Sequence, residues 1–167
     1  PKILTGSARA RTVVIGAGVC GIATAFRLGE ICPDDETIVL EAERAGFGAS
    51  GRNAGFMLNV HSHGPPKRLD ILQRNMKLWA SGLSDLRRRV REFQLPCDWS
   101  EAGRFYGSAG PDGEKHIDEI AETLGQLGLH HDWLDRDGME KRFGTRFYNR
   151  ALFTPGNARV NTAALLR

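Results

Sequence analysis

The sequence predicts an α/β fold: a strand–helix–strand unit of parallel type, followed by the first part of an α+β domain that stays incomplete without a second segment. Three observations predict it. Two short apolar strands, Thr12-Val13-Val14-Ile15 and Thr37-Ile38-Val39-Leu40, flank a helical stretch at the length of one βαβ crossover. Glycine makes up 20 of 167 residues, about 12% against a usual ~7%, and eight of them fall between Gly16 and Gly55. The final helix opens at Asn161 and reaches Arg167 within two turns, which is a poor place for a domain to close.

Residues 1–10 read as a leader. Thr12–Ile15 is β-branched and ends at Gly16, as a buried parallel strand does. Val19 to Leu28 reads as a helix with small residues along one side, suited to close packing on a sheet. Pro33-Asp34-Asp35 forms a turn, and the second strand closes at Glu41. The stretch Ala45 to Phe56 is too rich in glycine for a regular element at its start, and Ser50 is placed to cap a short helix from Gly51. Pro65-Pro66 opens a long helix to about Gln94 with an apolar stripe of Leu69, Leu72, Met76, Trp79, Leu83, Leu86, Val90 and Phe93. Its other face carries Arg74, Lys77, Arg87, Arg88 and Arg91, expected to be solvated. Trp79 and Trp99 are expected in the core.

Beyond Leu95-Pro96, Gly103 to Ala109 reads as strand and 111–127 as a helix with Ile117, Ile120, Leu124 and Leu127 on one side. His130 to Leu134 reads as an exposed strand, Asp137 to Phe143 as a short helix, and Ala151 to Thr154 as a strand. A turn at Pro155-Gly156-Asn157 then leads to a helix capped by Asn161. These elements divide the chain into a leader at 1–10, the βαβ unit and its following loop at 11–64, the long helix at 65–95, part of a second domain at 96–150, and a returning strand and helix at 151–167.

Composition removes several classes of function. The net charge is +3 on a mixed-sign surface, so nothing points to a nucleic acid partner. Hydrophobic residues at 41% and charged residues at 26% exclude a disordered chain. No apolar run approaches the roughly 20 residues of a membrane span, and Pro1 to Gly6 lacks the apolar core of a secretory signal. Cys20, Cys32 and Cys97 are too scattered for a disulfide framework, so a cytoplasmic setting is expected, and Cys20 reads as a small packing residue. His61 and His63 find no third ligand, so no metal is expected.

Gly16-Ala17-Gly18-Val19-Cys20-Gly21 is a G-x-G-x-x-G placed between a strand and a helix, with an acid at the end of the next strand. Each position has a physical task. Gly16 permits the tight turn, Gly18 lets a diphosphate approach the main chain, and Gly21 lets helix and strand pack closely. The helix N-terminus offers amides and partial positive charge to the phosphates. Glu41, expected as a buried acid, is placed to accept hydrogen bonds from two ribose hydroxyls, and its charge disfavours a 2′-phosphate. These features make the unit Rossmann-like and dinucleotide-binding. A glycine-rich turn in an unrelated α/β fold is the alternative.

With Val39-Leu40-Glu41-Ala42-Glu43-Arg44 and Gly48-Ala49-Ser50-Gly51-Arg52-Asn53-Ala54-Gly55, the sequence resembles the FAD-dependent amine and amino-acid oxidoreductases of the D-amino-acid oxidase, glycine oxidase and sarcosine oxidase type. The G-A-S-G-R-N-A-G segment is most similar to the γ-glutamylputrescine oxidoreductase-like subgroup, and the stretch from Ala151 to Leu166 is also similar to this superfamily. The resemblance implies FAD as cofactor. It implies that Gly16, Gly18, Gly21 and the Val19-Cys20 backbone meet the diphosphate, and that Glu41 holds the adenosine ribose with Ala42 and Arg44 at the adenine end. Ala49, Ser50, Arg52, Asn53, Ala54 and Gly55 would approach the phosphates, ribityl chain and flavin edge. Arg52 would balance phosphate charge or a reduced flavin; a surface salt bridge is its other reading.

The activity implied is oxidation of an amine or amino-acid C–N bond to an imine, with the flavin taking up the hydride and water hydrolysing the imine. No catalytic residue is assigned, because the family's substrate-binding residues lie mostly beyond this length. A second polypeptide segment or subunit is expected to complete the fold. The chain would then be a piece of a split or cleaved enzyme, or a truncated product, in preference to an independent module. Two other functions remain open: a non-catalytic nucleotide-binding or assembly subunit using the Leu69–Phe93 stripe, and an NAD-dependent dehydrogenase resting on the glycine fingerprint alone.

Overall fold

The computed structural model of the chain describes residues 3–59 and 68–167. In chain order its elements are β1 (Thr12–Ile15), α1 (Val19–Ile31), β2 (Thr37–Leu40), a 3-10 helix (Ala49–Gly51), β3 (Phe56–Met57), α2 (Leu69–Glu92), β4 (Arg104–Ser108), α3 (Pro111–Gln126), β5 (Asp132–Asp135), α4 (Arg136–Phe143), β6 (Arg150–Thr154), β7 (Ala158–Arg159) and α5 (Thr162–Leu165). They fall into two units. One comprises Pro1–Gly55, Leu95–Asp98 and Val160–Arg167; the other comprises Phe56–Gln94 and Trp99–Arg159.

In the first unit β1 and β2 pair in parallel, Thr12 opposite Thr37 through Ile15 opposite Leu40. This is the pairing a helical crossover between strands requires. The helix between them runs past the expected Leu28 to Ile31. It stops because Cys32 precedes Pro33, and a residue before proline is pushed out of helical geometry; Cys32 stands at φ −135°, ψ 65°. Gly21 faces the sheet, where an added Cβ would lie 3.4 Å from Val14 Cγ1. Strand side chains alternate, so Val13 and Ile15 point to the opposite face, and there they are 50% and 87% exposed.

The remainder of the unit is tied by hydrogen bonds and by the buried residues Cys97, Val160 and Leu166. Val160 N–H donates to Gly55 O at 3.0 Å, and Asn161 N–H donates to Cys97 O at 2.7 Å. Asn161 caps α5 as expected, its Oδ1 accepting from Ala164 N–H at 3.1 Å. The expected Ser50 cap is corrected: the 3-10 helix spans Ala49–Gly51, and Gly48 is its N-cap. Ser50 lies inside that turn, and its hydroxyl serves a different helix.

The second unit is built on a three-stranded antiparallel sheet of order β4-β6-β5. Its α3 side is closed by Ile117, Leu124 and Leu152, with Tyr106, Ile120, Ala121 and Leu129 packed around them. On the opposite face Phe105 packs on Phe153 at 4.6 Å between ring centroids and meets Phe143 edge-on at 4.9 Å. Helix α4 starts one residue before the expected Asp137, because Asp135 caps it: Oδ1 accepts from Gly138 N–H at 2.8 Å. It ends at Gly144, whose φ of 69° is a left-handed conformation that glycine adopts at little cost.

Several expectations are revised in this unit. Strand β5 begins at Asp132, so His130 and His131 precede it; each ring is held locally, by Asp132 and by the Leu129 carbonyl. The pair β3–β7, with Phe56 opposite Arg159 and Met57 opposite Ala158, was not foreseen, because two-residue strands carry no periodicity. On α2 the stripe is buried at Leu72, Leu83 and Val90, but Leu69 and Phe93 at its ends are 40% and 50% exposed. Its basic face is not simply solvated. Arg87 grips Glu101 through two hydrogen bonds, and Arg88 and Arg89 both bond Asp85. Trp79 and Trp99 are half-buried and outside the core, and Trp99 Nε1 donates to Glu101 at 2.7 Å. The helix start at Pro65-Pro66, and His61 and His63, lie outside the described residues. Among the described residues no helix is long and apolar enough to cross a membrane.

Leu124 is 1% exposed and sits at the centre of the second unit's core. Leu124→Ala should therefore lower unfolding stability by about 2–5 kcal/mol, read as a shifted denaturation midpoint at unchanged slope.

Candidate functional site

The strongest constellation lies in the first unit, where β1 turns into α1. Gly16 N–H donates to Leu40 O at 2.7 Å and ends the strand pairing. The chain then reverses through a φ of +96°, which only glycine takes without strain. The place a Gly16 side chain would occupy is open, with no atom within 4 Å. At Gly21 the opposite holds: an added Cβ would stand 1.9 Å from Gly16 O. The first glycine leaves room beside the turn, and the third lets the helix press onto it.

Gly18 is the N-cap of α1 and has no side chain to cap with. Ser50 supplies the missing acceptor, its Oγ taking the Val19 N–H at 3.1 Å. Cys20 and Gly21 carry the next amides of the turn, which helix geometry leaves without intrahelical acceptors. Cys20 is exposed here, which corrects its reading as a packing residue.

Glu41 stands at the tip of β2. Its Oε2 accepts from Ala17 N–H at 2.7 Å and its Oε1 from Glu43 N–H at 3.1 Å. The Ala17 amide and then the Glu43 amide hold its pKa below the ordinary glutamate value. The carboxylate is exposed, not buried as expected, because main-chain amides fix it where side chains were expected to enclose it. Each oxygen has accepted one bond, so each keeps capacity for a further donor such as a hydroxyl.

The loop after Glu41 is folded on itself. Gly46 N–H donates to Ala17 O at 2.9 Å. Asn53 Nδ2 donates to Ser50 O at 2.8 Å and to Ala49 O at 3.3 Å, and its Oδ1 accepts from Gly55 N–H at 2.9 Å. The Arg52 guanidinium lies over the Phe47 ring at 4.2 Å, with Arg44 at 5.7 Å from the same ring. Ala42, Ala49 and Ala54 are exposed small residues along the loop, and Gly55 is buried at φ +74°. Every residue expected at the site thus falls within one unit. The sequence did not mark Ala17, Gly46 or Phe47. Ala17 acts through its backbone, which no side-chain pattern reports, whereas Gly46 and Phe47 stood in the glycine-rich stretch itself.

An open glycine turn, helix amides, a fixed carboxylate and two guanidinium groups suit a ligand that carries a diphosphate and a vicinal diol. Comparison with known proteins agrees. The FAD dependent oxidoreductase (DAO) family matches residues 11–167. The chain is similar to gamma-glutamylputrescine oxidoreductase of Escherichia coli K12, 33% identical over 101 residues, covering 55% of this chain and 22% of that protein. It is 27% identical over 168 residues to a Haemophilus influenzae protein called probable oxidoreductase OrdL, covering 95% of this chain and 38% of that one. Its fold is similar to the crystal structure of glycine oxidase from Geobacillus kaustophilus, with a TM-score of 0.70 at 19% identity, covering 96% of this chain and 43% of that structure. The chain spans less than half the length of each of these proteins.

Two outcomes follow from the geometry. Gly21→Ala should destabilise the first unit by about 3 kcal/mol or more, since a Cβ has no room there. Gly29→Ala, in the same helix with nothing within 4 Å, should stabilise by about 0.5–1 kcal/mol; thermal melts of the pair separate space from propensity. The second outcome concerns Glu41. A depressed pKa contributes stability above the unfolded value and loses it as pH falls through the folded one. The turn should hold unchanged from neutral pH through the ordinary glutamate range and loosen only as pH falls below that range, read by amide exchange at Ala17 in full-length protein.

Proposed function

We propose an activity that starts from one fact: the chain belongs to the FAD dependent oxidoreductase family. The full-length protein oxidises the C–N bond of an amine or amino acid to an imine, which water then hydrolyses. FAD, when bound, accepts the two electrons removed from the substrate and passes them to an acceptor. The names of two similar proteins, a gamma-glutamylputrescine oxidoreductase and a glycine oxidase, support the amine or amino-acid class.

The observation that carries the reading is the Glu41 carboxylate, fixed by the amides of Ala17 and Glu43 beside the glycine turn. Glu41 accepts from the adenosine ribose hydroxyls. The main chain of Gly16, Gly18, Val19, Cys20 and Gly21 faces the diphosphate. Ala42 and Arg44 flank the adenine end. Ala49, Ser50, Arg52, Asn53, Ala54 and Gly55 line the path toward the flavin, with Arg52 contributing positive charge from its seat on Phe47.

A further segment, whether of the same polypeptide or of a partner, completes the binding unit. Parallel sheets are covered on both faces, and here Val13 and Ile15 stand bare. Relatives more than twice as long as the matched region support this.

The test uses full-length protein. It should purify yellow, bind FAD and not NAD, and lose its flavin colour anaerobically with an amine or amino acid from a panel. Glu41→Ala, which removes charge-assisted hydrogen bonds to the ribose, should weaken FAD binding by at least about tenfold. A colourless protein that ignores FAD, or one whose flavin no amine or amino acid reduces, sinks the proposal.

A further inference from the structure

We infer that the second unit carries a binding site for the zwitterion of an amino acid, in which Arg104 holds the carboxylate and Asn59 the ammonium. Every residue involved belongs to that unit, so the site goes beyond the cofactor reading and stands without it. Two side-chain atoms there are shut off from solvent and have no hydrogen-bond partner: Nη1 of Arg104 and Oδ1 of Asn59. One is a charged donor and the other a neutral acceptor. Leaving either bond unmade is costly, and the charged one costs more. Both atoms border one polar node. Arg104 stands directly opposite Thr154 in the β4–β6 ladder, so the two side chains share a face of the sheet. Thr154 is buried, and its Oγ1 accepts from Asn157 Nδ2 at 3.1 Å. Asn157 is buried too, and its Oδ1 accepts from Asn59 N–H at 3.2 Å.

The node cannot relieve either atom from within. Asn157 Nδ2 is already turned to both oxygens of Thr154 and to the Pro155 carbonyl. Asn59 Nδ2 also faces that carbonyl, so exchanging its amide atoms would set oxygen against oxygen. The Arg104 guanidinium lies over the Tyr106 ring at 4.1 Å. That stacking serves the flat face of the guanidinium, whereas its N–H bonds point outward in the plane. Burial raises the Tyr106 pKa, so the phenol stays neutral and cannot balance the charge. Among the described residues no carboxylate pairs with Arg104. What completes the site must therefore accept from a guanidinium and donate to an amide oxygen. A carboxylate does the first, in the charge-assisted bond that arginine favours. An ammonium on the neighbouring carbon does the second. An amine without the acid leaves the guanidinium unpaired, an acid without the amine leaves Asn59, and a bridging water brings no charge.

The test titrates full-length protein, stripped of any flavin, with each of the common amino acids by calorimetry. Every amino acid that binds is compared with its two single-charge counterparts; for alanine these are ethylamine and propionate. At least one amino acid should bind, and both of its counterparts should bind at least about tenfold more weakly. Arg104→Gln should erase the preference over the amine and keep the preference over the acid. Asn59→Ala should do the reverse. A residue that only supports the fold would weaken the amino acid and its counterparts together, so the order of the ligands separates recognition from stability. Should Arg104→Gln fail to fold, the Asn59→Ala comparison decides alone. Binding of no amino acid, equal binding of an amino acid and its counterparts, or an unchanged order in a folded variant overturns the site and leaves a bridging water between the two atoms. Protein that binds FAD but no amino acid overturns this site alone, whereas protein that binds an amino acid but not FAD overturns the cofactor reading alone.

Discussion

The hydrogen bond from the Ala17 amide to the Glu41 carboxylate joins two strand tips just where strand pairing runs out. The last ladder bond is Gly16 to Leu40, and beyond it neither chain has a regular partner. Ala17 resolves this with both of its backbone groups: the N–H goes to Glu41 and the carbonyl accepts from Gly46. A side chain from β2 and a backbone group from the following loop therefore fix the turn that leads into α1. The same carboxylate keeps accepting capacity for a ligand, so the bond that shapes the site also aims its acid.

Glycine serves this arrangement in three distinct ways. At Gly16 the need is conformational, a positive φ with open space beside it. At Gly21 and Gly51 the backbone is ordinary and the need is space, because a carbonyl oxygen sits where a Cβ would be. At Gly55 both needs coincide: φ is +74° and a Cβ would lie 1.9 Å from Val160 O. Glycine concentrated in one region thus marks tight folding of a loop against a turn more than flexibility.

The βαβ unit was legible in the sequence because its signals are local and repeated. Thr12–Ile15 and Thr37–Leu40 are β-branched runs with fixed punctuation, and the structure places both strands at those bounds. The Asn161 cap was legible for the same reason. What escaped were features made between distant residues. Ser50 looked like a cap for its own helix, yet it caps α1, since hydroxyl direction depends on how the loop folds back. Glu41 was placed correctly along the strand but expected to be enclosed, and amides hold it in the open instead. The β3–β7 pair joins two residues with two others a hundred positions away, a scale at which no pattern exists to read.

The two units differ in what holds them, and the difference bears on binding. The second encloses Ile117, Leu124 and Leu152 at 2% exposure or less. In the first, no residue of α1 is fully buried, and Ile15 on the sheet is 87% exposed. Its buried apolar residues Cys97, Val160 and Leu166 belong to the 95–98 and 160–167 segments, and the turn itself is held by directed bonds at Ala17, Glu41, Ser50 and Asn53, which are individually modest in water. A turn held mainly by such bonds opens at low free-energy cost. Any ligand that engages the turn and the carboxylate together must then stabilise the unit as it binds, since the bound form is the ordered one. Cofactor retention and the stability of this unit are therefore one equilibrium.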